Sequence, residues 1–257
     1  MPPDETSCQL TRAEVDFFVE NGYLGPYAAM RPDEMAGMRA AIDARVLNTD
    51  GPNPRRPLQS RHMDHAVVYD LAAHRAIIDR IAGLLGPNIV VWTTNFWLKA
   101  PGSAEIPWHQ DINFWPIEPP VNVSAWLAID EVTAGNACVR IIPGSHRQFL
   151  QHQRAPDEMA IHEMVDPKFY DASRAVDMEL KPGEFFLFSE RLLHASGVNT
   201  SDKRRLGLSI RVTIPIVHIF QDTHLHPGHT AILAKGEDVM GFNRYAGRPQ
   251  EIQSSNV

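Results

Sequence analysis

The chain has 257 residues, 44% hydrophobic and 21% charged, an ordinary globular composition with enough length to bury one full core. Its net charge of -7 argues against a nucleic-acid backbone as partner, because gripping phosphates takes a basic surface. No apolar run approaches the roughly 20 residues of a bilayer-spanning helix, and the opening Met1-Pro2-Pro3-Asp4-Glu5-Thr6 lacks a signal peptide's basic-then-apolar pattern, so a cytoplasmic protein without membrane partners is expected. The two cysteines, Cys8 in a polar leader and Cys138 in an apolar run, are poorly placed to pair and suit a reducing compartment.

The first elements read as helices. Thr11 and Glu14 form a Thr-x-x-Glu capping box ahead of Val15, Phe17, Phe18 and Val19, and Asn21-Gly22 ends the run. A second helix is predicted from Pro32 to about Leu47, with Met35, Met38, Ala41, Ile42 and Val46 on one stripe. Residues 49–57 hold three prolines and a glycine and form a loop. A third helix is predicted over 72–85, carrying Ile77, Ile78, Ile81, Leu84 and Leu85 and closed by Gly86-Pro87.

From Asn88 onward short β-rich runs alternate with turns. Strands are predicted at 89–98, 121–129, 137–142, 176–180, 184–188 and 206–214, with Pro143-Gly144-Ser145 and Lys181-Pro182-Gly183 as turns. Helices followed by many strands predict a mainly β fold with flanking helices around a barrel or jelly roll. A single domain over 1–257 is expected: a mostly helical part at 1–87, the β core at 88–215 and a C-terminal extension at 216–257. The last residues, 253–257, read as a frayed tail.

Within the β half, His109-Gln110-Asp111 places two ligand types at positions i and i+2, which share one face of a strand. A third ligand has to come from a distant strand, and His194 follows the apolar run 185–188. Two imidazoles and one carboxylate leave half of an octahedral Fe(II) open for chemistry. In a chain with 12 histidines a His-x-Asp triplet by itself carries little weight, so the flanking sequence decides.

That flanking sequence resembles the phytanoyl-CoA dioxygenase family, a branch of the Fe(II)/2-oxoglutarate oxygenases. The similar segments are Trp108-His109-Gln110-Asp111, Val123-Ser124-Ala125-Trp126-Leu127-Ala128-Ile129-Asp130, Ile141-Ile142-Pro143-Gly144-Ser145-His146 and His194-Ala195-Ser196-Gly197-Val198-Asn199. The likeness runs from Asn21-Gly22-Tyr23-Leu24 to Ala234-Lys235-Gly236-Glu237-Asp238, nearly the whole chain. One departure is Gly135-Asn136-Ala137, where the family often has Glu-Asn-Gly.

The resemblance implies a double-stranded β-helix (cupin-like jelly-roll) core. It also implies His109, Asp111 and His194 as ligands to Fe(II), with 2-oxoglutarate and O2 as cosubstrates. Arg205, 11 residues after His194, matches the family's clamp for the far carboxylate, with Ser196 assisting, whereas its neighbour Arg204 reads as a surface arginine. Lys99 resembles a family lysine near the keto-acid end; the alternative is a snorkelling surface lysine. Trp126 is placed either as a wall of the iron pocket or as plain core.

Residues 93–99 alternate Thr93, Asn95, Trp97 and Lys99 against Thr94, Phe96 and Leu98, as a strand facing a polar cavity does, so Asn95 and Trp97 are candidate substrate contacts. Arg61 and His62 lie in a loop region where family members often meet substrate. Arg211 shares strand parity with Arg205 and Ser209, and an inward arginine there serves either an acidic substrate or an internal carboxylate. His218, His224, His226 and His229 read as a polar lid or solvated loop, not as a second metal site.

The implied reaction is oxidative decarboxylation of 2-oxoglutarate to succinate and CO2, coupled to hydroxylation of an unactivated C–H bond in a small metabolite or natural-product intermediate. Desaturation, epoxidation or cyclisation would use the same residues. Asp111 argues against the halogenating cousins, in which a small residue frees a site for chloride. A zinc hydrolase or cupin isomerase would use similar ligands but has no need of the Arg205 and Ser196 clamp. The reading from a different class is a non-catalytic metal-binding jelly roll.

Overall fold

The computed structural model describes residues 8–250, so the expected leader at 1–6 and tail at 253–257 lie outside the described residues. Helix α1 (Arg12–Asn21) opens on the capping box: the Thr11 hydroxyl accepts from the Glu14 N–H at 3.3 Å while the Glu14 carboxylate accepts from the Thr11 N–H at 2.7 Å. Gly22 ends it in the left-handed region, φ 81°. Strand β1 (Tyr23–Ala28) follows at once, hidden in the sequence by its Gly25-Pro26 interruption. Helix α2 (Pro32–Arg45) matches expectation. The single helix expected over 72–85 is instead two, α3 (Ala66–Ala72) and α4 (Arg75–Leu85). His74 makes the break, its ring Nδ1 accepting from the Ala76 N–H at 3.3 Å and capping α4.

Thirteen further strands follow: β2 (Ile89–Lys99), β3 (Ile106–His109), β4 (Ile117–Glu118), β5 (Val123–Ala128), β6 (Val139–Ile141), β7 (His152–Arg154) and β8 (Glu163–Val165), then β9 (Val176–Met178), β10 (Glu184–Ser189), β11 (His194–Ser196), β12 (Arg205–Thr213), β13 (His218–Ile219) and β14 (Ile232–Lys235). A six-stranded sheet runs β1-β10-β5-β12-β2-β14 and a four-stranded sheet β3-β11-β6-β9. Every pairing within them is antiparallel. This is the jelly-roll core, mainly β with flanking helices. Its larger sheet takes one edge strand from the helical N-terminal stretch and the other from the C-terminal stretch.

Strand β12 shows how the sequence divides the interior. Leu206, Leu208, Ile210 and Val212 alternate onto one face and pack with Val68, Leu71, Ile77 and Ile81 from α3 and α4. Each such fully buried side chain contributes roughly 1.5–3 kcal/mol. The intervening Arg205, Ser209 and Arg211 take the other face and are also buried, so this strand carries an oily side and a polar interior side. Polar groups pointing into a jelly roll need partners there, and those partners make the site.

Neither cysteine is in a disulfide and both side chains are buried, Cys8 included although it follows a polar leader. No helix among the described residues is long and apolar enough to cross a membrane.

Candidate active site

Strands β3 and β11 pair so that His109 stands opposite His194. A bulge follows, with Ser196 opposite Ile106, which re-aims the end of β3. The two imidazole rings are 4.2 Å apart, tilted by 48°. Each Nδ1 lies against a carbonyl two residues back, Pro107 O at 2.8 Å and Leu192 O at 2.9 Å. A carbonyl only accepts, so the proton sits on Nδ1 and each Nε2 keeps a bare lone pair. Those lone pairs converge on Asp111, Nε2 of His109 lying 3.7 Å from Oδ1 and Nε2 of His194 4.0 Å from Oδ2.

The ligand atoms of the three residues all lie within 4.8 Å of one another, and no other group of this kind occurs among the described residues. Asp111 reaches the face by a route that strand parity does not give. Strand β3 ends at His109, and Asp111 opens a 3-10 turn, Asp111–Phe114. Gln110 holds that turn. Its amide donates to Gln148 O at 2.8 Å and to Arg191 O, and accepts from the Leu150 N–H at 2.9 Å.

Electrostatics favour the metal-binding form of Asp111 and of His194. Burial alone would raise the Asp111 carboxyl, but the Arg211 charge and the His109 and His194 rings outweigh it and hold it well below the usual carboxylate range. Burial, with the adjacent His109, pushes His194 down to about 4. An anionic carboxylate and two imidazoles whose Nδ1 atoms face carbonyls, with the three ligand atoms converging, fit a divalent metal such as Fe(II).

Two residues along β11 from His194, Ser196 belongs to a second cluster. Arg205 is 1% exposed. Its Nη2 donates to Ser196 Oγ at 2.9 Å and, with Nε, to Ala137 O at 2.9 and 3.2 Å; the Ser196 hydroxyl donates to the same carbonyl at 3.0 Å. Ala137 presents that oxygen from the left-handed region at φ 68°, the position where the family often has glycine. Trp126 lies beneath the guanidinium, 5.2 Å from ring centroid to Cζ, so it floors the clamp and does not wall the metal. Gly207 makes room for it: a Cβ there would stand 2.1 Å from Trp126 Cζ2.

Lys99 is paired with Arg205 across β2 and β12. Its ammonium donates to Ala104 O (2.8 Å), Ser196 O (3.2 Å) and Gly197 O, which uses all three N–H bonds. This replaces the expectation of a lysine at the keto-acid end with one at the Arg205 end. Burial, then the Arg205 charge, pushes Lys99 down to about 8, and burial pushes Arg205 down to about 10. Among the described residues neither has a carboxylate as hydrogen-bond partner, and Glu105 acts on Lys99 only from beyond hydrogen-bond reach.

The remaining predicted residues divide. Trp97 and Asn95 are on the interior face of β2, with Trp97 Nε1 donating to Ser209 Oγ at 3.0 Å and Asn95 opposite Ser209. Arg211 reaches the metal cluster itself, Nη2 lying 3.5 Å from both Asp111 oxygens. Arg61 does not face a cavity. Its guanidinium donates to Val46 O at 2.6 Å, Thr49 Oγ1 at 2.8 Å and Asp64 at 3.0 Å, stapling the proline-rich loop, and the residue is fully buried. His62 is likewise committed, Nδ1 to Thr94 Oγ1 and Nε2 to Thr230 O, each at 3.1 Å. The expected solvated lid of late histidines is also corrected. His218 and His224 are exposed, but His226 and His229 are buried, edge to face at 5.1 Å and beside His62, because the C-terminal stretch folds back onto β2.

A family model described as phytanoyl-CoA dioxygenase matches residues 18–207. The chain belongs to the phytanoyl-CoA dioxygenase family. Within that match lie all three members of the metal cluster and both Arg205 and Ser196. A Caenorhabditis elegans relative described as a probable phytanoyl-CoA dioxygenase is 26% identical over 192 residues, 69% of this chain and 60% of its own. One from Stutzerimonas stutzeri, described as a probable alpha-ketoglutarate-dependent hypophosphite dioxygenase, is 27% identical over 159 residues, 60% of this chain and 56% of its own. The chain spans about half the length of the curated relatives it matches. Among solved structures, the apo form of ThoJ, a non-heme monooxygenase, superposes with a TM-score of 0.73 at 26% identity, covering 92% of this chain and 88% of that one.

Proposed function

We propose that the chain is an Fe(II)- and 2-oxoglutarate-dependent oxygenase that hydroxylates a small-molecule substrate and releases succinate and CO2. One observation carries this reading: the three-ligand cluster and a buried arginine clamp share strand β11, His194 serving the first and Ser196 the second. A zinc hydrolase has no use for the clamp, and a non-catalytic metal site has no use for either open coordination positions or a dicarboxylate cradle. One oxygenase domain over the whole chain is part of the proposal, since both ends supply edge strands to the large sheet. Two buried thiols outside any disulfide suit a reducing compartment such as the cytosol.

When bound, iron and the keto acid together supply O2 activation and removal of a substrate hydrogen atom. The chain supplies placement. His109 and His194 would hold the metal through Nε2 and Asp111 through its carboxylate, with the imidazole protons kept on Nδ1 by Pro107 O and Leu192 O. Arg205 and Ser196 take the far carboxylate of 2-oxoglutarate by charge-assisted hydrogen bonds, with Trp126 keeping water from beneath the guanidinium. Asn95 and Trp97 face the same interior and are the nearest candidates to line the substrate's path.

The test is an anaerobic Fe(II) titration with 2-oxoglutarate, following the visible metal-to-ligand charge-transfer band of a chelated keto acid. The band should appear in the wild type and disappear in His109→Ala and His194→Ala, which should also lose bound iron by elemental analysis. A folded, iron-loaded wild type with no band would sink the cosubstrate assignment. With substrate in hand, a product heavier by one oxygen supports hydroxylation, whereas loss of two hydrogens would move the reading to desaturation or cyclisation.

A further inference from the structure

Arg211 is 8% exposed and its Nε has no hydrogen-bond partner, an unusual state for a buried guanidinium. The same side chain contacts Asp111 only through Nη2, at 3.5 Å, long for a charged hydrogen bond. Its other face lies 4.9 Å from the ring centroid of Trp115. Trp115 follows the turn Asp111–Phe114, which is exposed at Asn113 and Phe114, so this is a thinly covered side of the cluster. Next to it, Asn113 and His152 line a polar groove of about 650 Å³, and the Phe114 ring stands between that groove and His109.

Position along β12 separates the two arginines. Arg205 and Arg211 share a strand face six residues apart, about 20 Å at the rise of an antiparallel strand. The clamp end is near Ser196 and the Arg211 end near Asp111. A cosubstrate held between the metal and Arg205 leaves the Arg211 end free for the second reactant.

Hydrogen-bond supply points the same way. The carboxylates near these cations are Asp111, with the partly buried Glu190 beside it, and Glu105 near Lys99. Lys99 is cradled by three carbonyls, but Arg211 has a donor left over. We propose that Arg211 is the recognition point for an anionic oxo group of the substrate, a carboxylate or phosphonate-like group held by Nε beside Trp115 on the Asp111 side of the metal. This rests on the oxygenase reading above.

The probe is butyrate or methylphosphonate, with butanamide as neutral control, titrated calorimetrically into the anaerobic Fe(II)–2-oxoglutarate complex. The charge-transfer band is recorded throughout to show that the cosubstrate stays in place. At least one anion should bind 10-fold or more tighter than butanamide. Arg211→Gln should abolish that preference. Arg211→Lys, which keeps the charge and reach to Asp111 but removes the Nε donor, should keep the band and weaken the anion about 10-fold. Equal binding of anions and butanamide, or full anion binding in Arg211→Lys, overturns the subsite. Loss of the band in both variants would assign Arg211 to Asp111 alone and overturn it as well. A wild type that never shows the band fails the oxygenase reading instead, a separate result.

Discussion

At the scale of single residues, the site depends on where protons and hydrogen-bond donors are fixed. The carbonyls of Pro107 and Leu192 hold the Nδ1 protons of His109 and His194, so both ligand lone pairs are ready without rearrangement. Arg205 meets Ser196 and Ala137 through a planar fork of donors, and a lysine offers only a point charge. Arg205→Lys should therefore raise the KM for 2-oxoglutarate roughly 10- to 100-fold, the loss of one charge-assisted hydrogen bond, with a smaller effect on kcat. Steady-state kinetics varying the keto acid would show it, and an unchanged KM would move the clamp elsewhere.

At the scale of elements, β12 and β11 do most of the placing. Gly207 lies between Arg205 and Ser209 on the interior face of β12, and Trp126 fills the space a side chain would take. Gly207→Ala should cost about 1–3 kcal/mol by overpacking and should also raise the KM for 2-oxoglutarate, because Trp126 floors the guanidinium. Thermal melts and kinetics together check this; a lower melting temperature with an unchanged KM would separate Trp126 from the clamp.

Much of this element scale was legible in the sequence. The capping box of α1, the helix from Pro32 and the long strands β2, β10 and β12 carry strong local signals. The strands bearing the ligands, β3 and β11, are only four and three residues long and carry no readable alternation, so His109 and His194 were found through their neighbours and a family likeness. Lys99 and Arg61 were placed on the right chain segments but given the wrong surroundings, while Trp126, left open between pocket wall and core, is a core residue beneath Arg205. Strand parity tells which way a side chain points, whereas its partners come from strands and loops far away in sequence. Gly207 had a signal that went unused, a lone glycine in a strand otherwise rich in bulky apolar residues.

At the scale of the whole molecule, the buried histidines link stability to pH. Burial, which outweighs the remaining effects, pushes His62 from 6.5 down to about 4 and His229 from 6.5 down to about 3, the latter helped by His62, His226 and Arg244. Between those values and 6.5 the unfolded chain binds protons that the folded chain refuses. Stability is thus fully present above pH 6.5 and falls on acidification toward pH 4, by roughly 3 kcal/mol for each ring. The melting temperature should drop over that range, and His229→Asn should flatten the drop whatever its starting value. A wild-type profile level from pH 6.5 to 4 would contradict the burial of these rings as neutral species. Because the His62 ring bonds Thr94 on β2 and Thr230 ahead of β14, the same protonation loosens the C-terminal edge of the large sheet first. Hydrogen exchange there should precede global unfolding.

The sharing of β11 by the metal and the clamp also makes the strand a gauge of length. His194 and Ser196 are neighbours on one strand face, about 7 Å apart along a backbone that cannot stretch. A five-carbon keto diacid spans such a fixed interval, whereas oxaloacetate falls short of the arginine and 2-oxoadipate has to buckle. Both should bind at least 10-fold more weakly than 2-oxoglutarate when titrated against the charge-transfer band. Equal affinities would mean that the arginine slides to meet its ligand and that selectivity for chain length is set outside this strand.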